Sequence, residues 1–230
     1  MKTIGIIGGI SWESTQHYYE VMNRYVHTKL GGYNSIEALI YSINMERIVA
    51  LHEDWTLIEK LLIETARKLQ AAGAELVILT ANTIHKVFPQ VERSIHIPML
   101  HIADPTAQAI QSAGLRKVGL LGTKITMEDG FYAHRLQAMH GIETVIPEKE
   151  DRELLQRIIF EELVVGKLVD SSKKQMLDMI DQLVKQGAQA VILGCTELSL
   201  LVGPKDTKVR LFDTTELHAK AAVDWAISKP

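Results

Sequence analysis

The chain has 230 residues, room for two domains of ordinary size. Hydrophobic residues make up 47%, charged residues 23%, and the net charge is −3, which excludes a disordered chain. Lys and Arg number 25 against 28 Asp and Glu, so no basic excess points to nucleic acid, and the single cysteine excludes an internal disulfide and a Cys-rich zinc module.

The first segment, residues 2–8, is short and apolar and stops at Gly8-Gly9. It lacks the longer apolar core and small-residue cleavage site of a signal peptide, and no run approaches the ~20 apolar residues a bilayer span needs. The expectation is a cytoplasmic protein with no membrane and no nucleic-acid partner. Short, largely apolar, partly β-branched runs follow at 37–43, 75–80, 117–122, 143–146, 190–194 and 208–212, as expected of strands buried on both faces. Helical spacing fills the gaps at 14–30, 56–72, 103–113, 127–140, 151–165, 171–186 and 214–228. In the second of these, Leu57, Leu61, Leu62, Thr65, Leu69 and Ala72 show helical spacing and Gly73 supplies the stop. Strands alternating with helices predict α/β units on parallel sheets.

Two landmarks repeat at one offset. Ile4-Gly5-Ile6-Ile7-Gly8 matches Val118-Gly119-Leu120-Leu121-Gly122, and Gly73-Ala74-Glu75-Leu76-Val77-Ile78-Leu79 matches Gly187-Ala188-Gln189-Ala190-Val191-Ile192-Leu193, both 114 residues apart. The fold class read from this is α/β, with two similar parallel-sheet domains related by a pseudo-twofold axis and the active site between them. The expected division is 1–100 with a returning segment 209–230, and 101–208.

Ligands of parallel sheets bind at the carboxyl ends of the strands. Four loops follow such ends here: Gly8 to Ser14, Thr80 to Lys86, Gly122 to Thr126, and Gly194-Cys195-Thr196-Glu197. If the halves face each other, these loops line one cleft, rich in hydroxyls and amides; Ser11 and Thr123 enter it on that ground. Cys195 has two readings: a small buried hydrophobe, or a thiol activated at a helix N-terminus, where thiolate is favoured. Glu197 either orients or deprotonates that thiol or is a first-turn helix acid. His85 either supports the site or sits on a helix surface. Gly5 to Gly9 carries neither the dinucleotide fingerprint nor a phosphate loop. The nine histidines (17, 27, 52, 85, 96, 101, 134, 140 and 218) show no zinc-ligand spacing.

Together, Ile6-Ile7-Gly8-Gly9-Ile10-Ser11-Trp12-Glu13-Ser14-Thr15 with Tyr18-Tyr19, Asn82-Thr83-Ile84-His85-Lys86, Phe160-Glu161-Glu162-Leu163 and Gly194-Cys195-Thr196-Glu197 resemble the aspartate/glutamate racemase family, in its aspartate and broader amino-acid branch. The resemblance implies an isomerase that acts on a small amino-acid substrate without pyridoxal phosphate or metal, commonly as a homodimer. Inverting an α-carbon needs an acid/base group on each face. Family members typically use two cysteines, one per domain. The resemblance makes Cys195 one of them and places Asn82, Thr83 and Thr196 on the α-carboxylate. It sets Arg47 and Lys167 where some aspartate-specific members hold a second carboxylate; each is otherwise a surface charge. The sequence departs from the family where the first cysteine of C-T-N-T is expected, because it reads Thr80-Ala81-Asn82-Thr83. Four outcomes stay open: a slow Thr80/Cys195 racemase, one efficient in a single direction, a one-base relative of decarboxylase type, and a catalytically impaired amino-acid-binding protein.

Overall fold

A computed structural model describes residues 1–51 and 54–228; His52, among the histidines above, lies outside the described residues. The chain forms two compact units, Met1–Ile102 with His218–Pro230, and Ala103–Leu217.

The first unit runs β1 (Ile4–Gly8), α1 (Trp12–Leu30), β2 (Ala38–Ser42), α2 (Met45–Val49), α3 (Trp55–Ala71), β3 (Leu76–Leu79), a 3-10 segment (Thr83–Val87) leading into α4 (Phe88–Arg93), and β4 (Met99–Leu100). The second runs α5 (Ala103–Ser112), β5 (Lys117–Gly122), α6 (Lys124–Glu128), α7 (Phe131–His140), β6 (Glu143–Val145), α8 (Lys149–Arg157), α9 (Asp170–Lys185), β7 (Val191–Gly194), α10 (Leu198–Leu201) and β8 (Leu211–Asp213). Then α11 (Thr214–Ile227) carries the chain back into the first unit. The sheet orders are β2-β1-β3-β4 and β6-β5-β7-β8, with every pairing parallel. These are two similar α/β domains. Because β8 pairs with β7, the returning segment starts at His218, later than residue 209.

The repeat is physical. Ile7 stands opposite Leu79 in the first sheet, and Leu121 opposite Leu193 in the second. Gly5 has no side chain because a Cβ there would lie 3.3 Å from Leu69 Cβ, and Gly119 likewise would lie 3.2 Å from Leu183 Cβ. Each glycine lets the preceding helix approach its strand closely. Ala74 N–H donates to Leu69 O and Ala188 N–H to Leu183 O, both at 3.0 Å, closing α3 and α9 alike.

Apolar side chains cover both faces of the first sheet. One face packs Ile7, Val77 and Leu79 against Leu62, Ala66, Leu69, Phe88 and Val91 of α3 and α4. The other packs Ile4, Ile6 and Ile78 against Tyr18, Met22 and Val26 of α1 and Ala219, Ala222 and Val223 of α11.

Two predicted helices differ. The 127–140 pattern divides into α6 and α7 because Gly130, at φ +88°, breaks it. The 151–165 pattern is α-helical only to Arg157, then widens to a π turn over Ile158–Glu162 and a 3-10 turn over Leu163–Val165.

Candidate functional site

In the first unit the site loops leave β1 and β3. Gly9 adopts φ +83°, and a Cβ on it would lie 2.0 Å from the Ile43 carbonyl oxygen, so only glycine brings the β1 and β2 ends this close. Gly9 N–H donates to Thr15 Oγ1 at 2.8 Å, and the Thr15 hydroxyl donates to Ser11 O at 3.1 Å. Ser11 caps α1: its Oγ accepts from Ser14 N–H at 3.2 Å and donates to Ser14 Oγ at 3.0 Å. Thr15 Oγ1 also lies 3.4 Å from Thr80 Oγ1. Thr80 is fully buried, and its hydroxyl donates to Ile7 O at 3.2 Å.

Asn82 is buried and Thr83 half-buried, at the start of the 3-10 segment. His85 is buried and does not sit on a helix surface. Its Nδ1–H donates to Ala81 O at 2.8 Å and its Nε2 accepts from Ile102 N–H at 3.2 Å. Those partners fix one neutral tautomer, because a carbonyl only accepts and an amide only donates. The ring packs against His101, with centroids 4.6 Å apart, and stacks on Phe88 at 5.6 Å. His85 therefore ties the 3-10 segment to the end of the first unit. Arg47 lies on α2, whose cap is Asn44, and its side chain is exposed.

The second unit builds its loops the same way. Thr123 caps α6: its Oγ1 accepts from Thr126 N–H at 3.3 Å and lies 3.0 Å from Thr126 Oγ1, as Ser11 does with Ser14. Gln156 of α8 accepts from Lys124 N–H at 2.8 Å and steadies that cap. At the end of β7, the half-buried Cys195 donates its thiol proton to Glu197 Oε2 at 3.0 Å. Glu197 and Thr196 are both buried.

The thiol does not gain acidity from a helix. The helix after it, α10, has four residues and starts at Leu198. Burial pushes the Cys195 thiol well above its ordinary 9.0, and the Glu197 carboxylate beside it pushes the same way; backbone N–H groups of Glu197 and Thr196 oppose them. The resting group is a thiol hydrogen-bonded to a carboxylate, which is the arrangement of a nucleophile or base with its own proton acceptor. Lys167 is exposed, just past the 3-10 turn, and its N–H donates to Glu162 O at 2.9 Å.

A hydrogen bond thus joins Thr15 to Ser11 beside Thr80 in the first unit, and another joins Cys195 to Glu197 in the second. Thr15 and Gln156 were not singled out from the sequence. Gly8 must be bare because a Cβ there would lie 2.6 Å from the Thr15 side chain, an approach that only the structure reveals. Among the described residues, no group of three or more His, Cys, Asp or Glu is placed to hold a metal ion, and no helix is long and apolar enough to cross a membrane.

Comparison with known proteins adds the chemistry of relatives. A family model described as Asp/Glu/Hydantoin racemase matches residues 7–222. A broad-specificity amino-acid racemase, RacX, of Bacillus subtilis (strain 168) is 23% identical over 227 residues, covering 96% of each chain. An aspartate racemase homologue from Pyrococcus horikoshii OT3 superposes with a TM-score of 0.88 at 42% identity, covering 99% of this chain and 100% of that one. The aspartate racemase of Picrophilus torridus shares the fold, with a TM-score of 0.81 at 22% identity, covering 98% of this chain and 94% of that one.

Proposed function

This chain belongs to the Asp/Glu/hydantoin racemase family, and from that premise we propose that it interconverts the enantiomers of a small amino acid, aspartate or glutamate first, by moving the α-proton. The observation that carries the proposal is the bond from the Cys195 thiol to Glu197 Oε2, 3.0 Å long, at the carboxyl end of a central strand.

The proposed steps use side chains of this chain. Glu197 takes the proton from Cys195 Sγ, and the thiolate so formed takes the α-proton of the substrate. The electron pair left on the α-carbon spreads onto the α-carboxylate, which becomes enolate-like and dianionic. Donors aimed at that carboxylate lower the barrier; Asn82, Thr83 and Thr196 are assigned to it, with Ser11 and Thr123 beside them. Arg47 and Lys167 are assigned to a second carboxylate, for which a cation is suited. A proton then returns to the opposite face, and Glu197 returns its own to Cys195. A positioned acid or base is worth roughly 10²–10⁴ in rate, so the weaker face sets the pace.

For that face the first unit offers Thr80. Its hydrogen lies on Ile7 O, so it is a poor donor to substrate. Exchange at the Cys195 face is therefore faster than inversion. The same observation favours a second reading, a one-base enzyme that protonates one face only. Incubation of L- and D-aspartate and of L- and D-glutamate in deuterated water separates the two. Exchange followed by slower inversion is expected of the racemase. Exchange with no inversion selects the one-base reading, and binding without exchange would leave only an amino-acid-binding protein.

A homodimer is part of the proposal. Trp12 and Tyr19, seven residues apart on one face of α1, are exposed, as is Ile40 on the edge strand β2. Light scattering on the purified protein tests it.

A further inference from the structure

The second unit carries a cavity away from the carboxyl ends of its strands. Arg116 precedes β5 and Ile142 precedes β6; with Gln111, Leu115 and His140 they border a cavity of about 340 Å³ at the amino edge of that sheet. That volume falls at the low end for small-molecule sites, roughly 300–1,000 Å³. Gly114 and Gly141, in the turns that end α5 and α7, complete the lining, and a Cβ on either would meet nothing within 4 Å.

Arg116 is exposed, and among the described residues its guanidinium has no ion pair and no hydrogen-bond partner. The neighbouring carboxylates are committed elsewhere. Glu143 pairs with Lys117 at 2.8 Å. Asp104 accepts from Arg135 Nε and Nη2, both at 2.7 Å, and from His140 Nε2–H at 3.2 Å. A carboxylate only accepts, so this bond puts the proton of a neutral His140 on Nε2 and leaves Nδ1 to accept. Gln111 Nε2–H donates to His140 O at 2.9 Å, which leaves Gln111 Oε1 to accept as well. The C-terminal ends of α5 at Ser112 and α7 at His140 add partial negative charge, roughly half an elementary charge each. The cavity thus offers a guanidinium to an anion, acceptors and helix ends to a cation, and the side chains of Leu115 and Ile142 to an apolar group.

We infer that this cavity binds a free amino acid with an apolar side chain, as the zwitterion. The α-carboxylate meets the Arg116 fork, the ammonium donates to Gln111 Oε1 and His140 Nδ1, and the side chain covers Leu115 and Ile142. Aspartate and glutamate fit less well, because Lys117 is held by Glu143 and no second cation is free for a second carboxylate. The six residues of β5 set the cavity roughly 20 Å from Thr123 at the carboxyl edge. A molecule bound here is therefore an effector and not the one being turned over. Neither Cys195 nor Thr80 takes part, so the site is independent of the proposed racemisation.

Amide NMR spectra of the full chain titrated with L-leucine test this. The N–H signals of Gly114, Arg116 and Gly141 are expected to move saturably. Isocaproate, which is leucine without its ammonium, and isopentylamine, which is leucine without its carboxylate, are each expected to bind roughly tenfold more weakly or worse, since each lacks one charged hydrogen-bonding group. R116Q should keep the spectrum of the folded chain and lose leucine affinity by roughly tenfold or more. No saturable shift at those three amides overturns the inference, as does an analogue that binds as tightly as leucine or an R116Q variant that titrates like the unmodified chain. Shifts confined to Gly8, Thr83 or Gly194 would put leucine at the carboxyl ends of the strands; they too overturn the inference, while leaving the racemase reading intact.

Discussion

At the residue scale, the proposed chemistry rests on Cys195 and Glu197, and a prediction addresses each. C195S is expected to lose α-proton exchange by at least a hundredfold while keeping its fold by circular dichroism, because a serine hydroxyl is a far weaker acid than a thiol. Full exchange in C195S would mean the proton-transfer group lies elsewhere. E197Q removes the charge that helps hold the thiol proton. The pH at which iodoacetamide reactivity reaches half its maximum should therefore fall in E197Q, even as exchange slows for want of a proton acceptor. An unchanged or higher midpoint would show that Glu197 does not govern the thiol. The raised thiol also bears on stability. The folded protein favours the protonated form more than the unfolded chain does, so this contribution is complete below the ordinary thiol range and is lost as pH climbs from there toward the folded value. The stability advantage of the unmodified chain over C195S should shrink above about pH 9. Much of this was legible in advance: Gly194 to Glu197 follows an apolar strand, and a lone thiol beside an acid is a visible signal. The direction of the thiol shift was not legible, because it depends on a helix four residues long and on burial, neither of which a motif encodes. His85 was equally opaque, since its partners Ala81 O and Ile102 N–H are main-chain atoms with no sequence signature.

At the element scale, the strand ends carry geometric constraints that no periodicity reveals. Gly9 and Gly73 both have positive φ, but a Cβ on Gly9 strikes the Ile43 backbone whereas one on Gly73 meets nothing within 4 Å. G9A is expected to cost about 3 kcal/mol or more and G73A about 1 kcal/mol in urea unfolding. Equal losses would mean that strain alone, and not the close β1–β2 approach, makes Gly9 obligatory. The central strands and long helices were readable because continuous apolar runs and 3.6-residue spacing are strong signals. The two-residue β4, next to Pro98, and the short α2, α4, α6 and α10 were not, since a few hydrogen bonds set by tertiary packing leave no period to detect. The 114-residue repeat was readable as two matched motifs.

At the scale of the whole molecule, the first unit is built from two stretches of sequence. His218 ties them: its Nε2–H donates to Leu100 O at 2.9 Å, and its Nδ1 accepts from Tyr18 OH at 2.9 Å. H218A removes the hydrogen bonds to Tyr18 OH and Leu100 O from the interior and should cost about 2–4 kcal/mol. Hydrogen exchange should show the loss in β1 and β3, with β5 and β7 retaining their protection. Uniform loss across both sheets would show that the units unfold as one.

This interrupted layout has a consequence for biosynthesis. A ribosome delivers residues 103–217 as one uninterrupted length, so that sheet can close as soon as its last strand emerges. The earlier-made sheet must wait, with the side of Ile4, Ile6 and Ile78 that Ala219, Ala222 and Val223 will cover still bare, until the final helix arrives. The half of the protein synthesised first is thus the last to mature, and it is that half whose nascent form has most need of a chaperone.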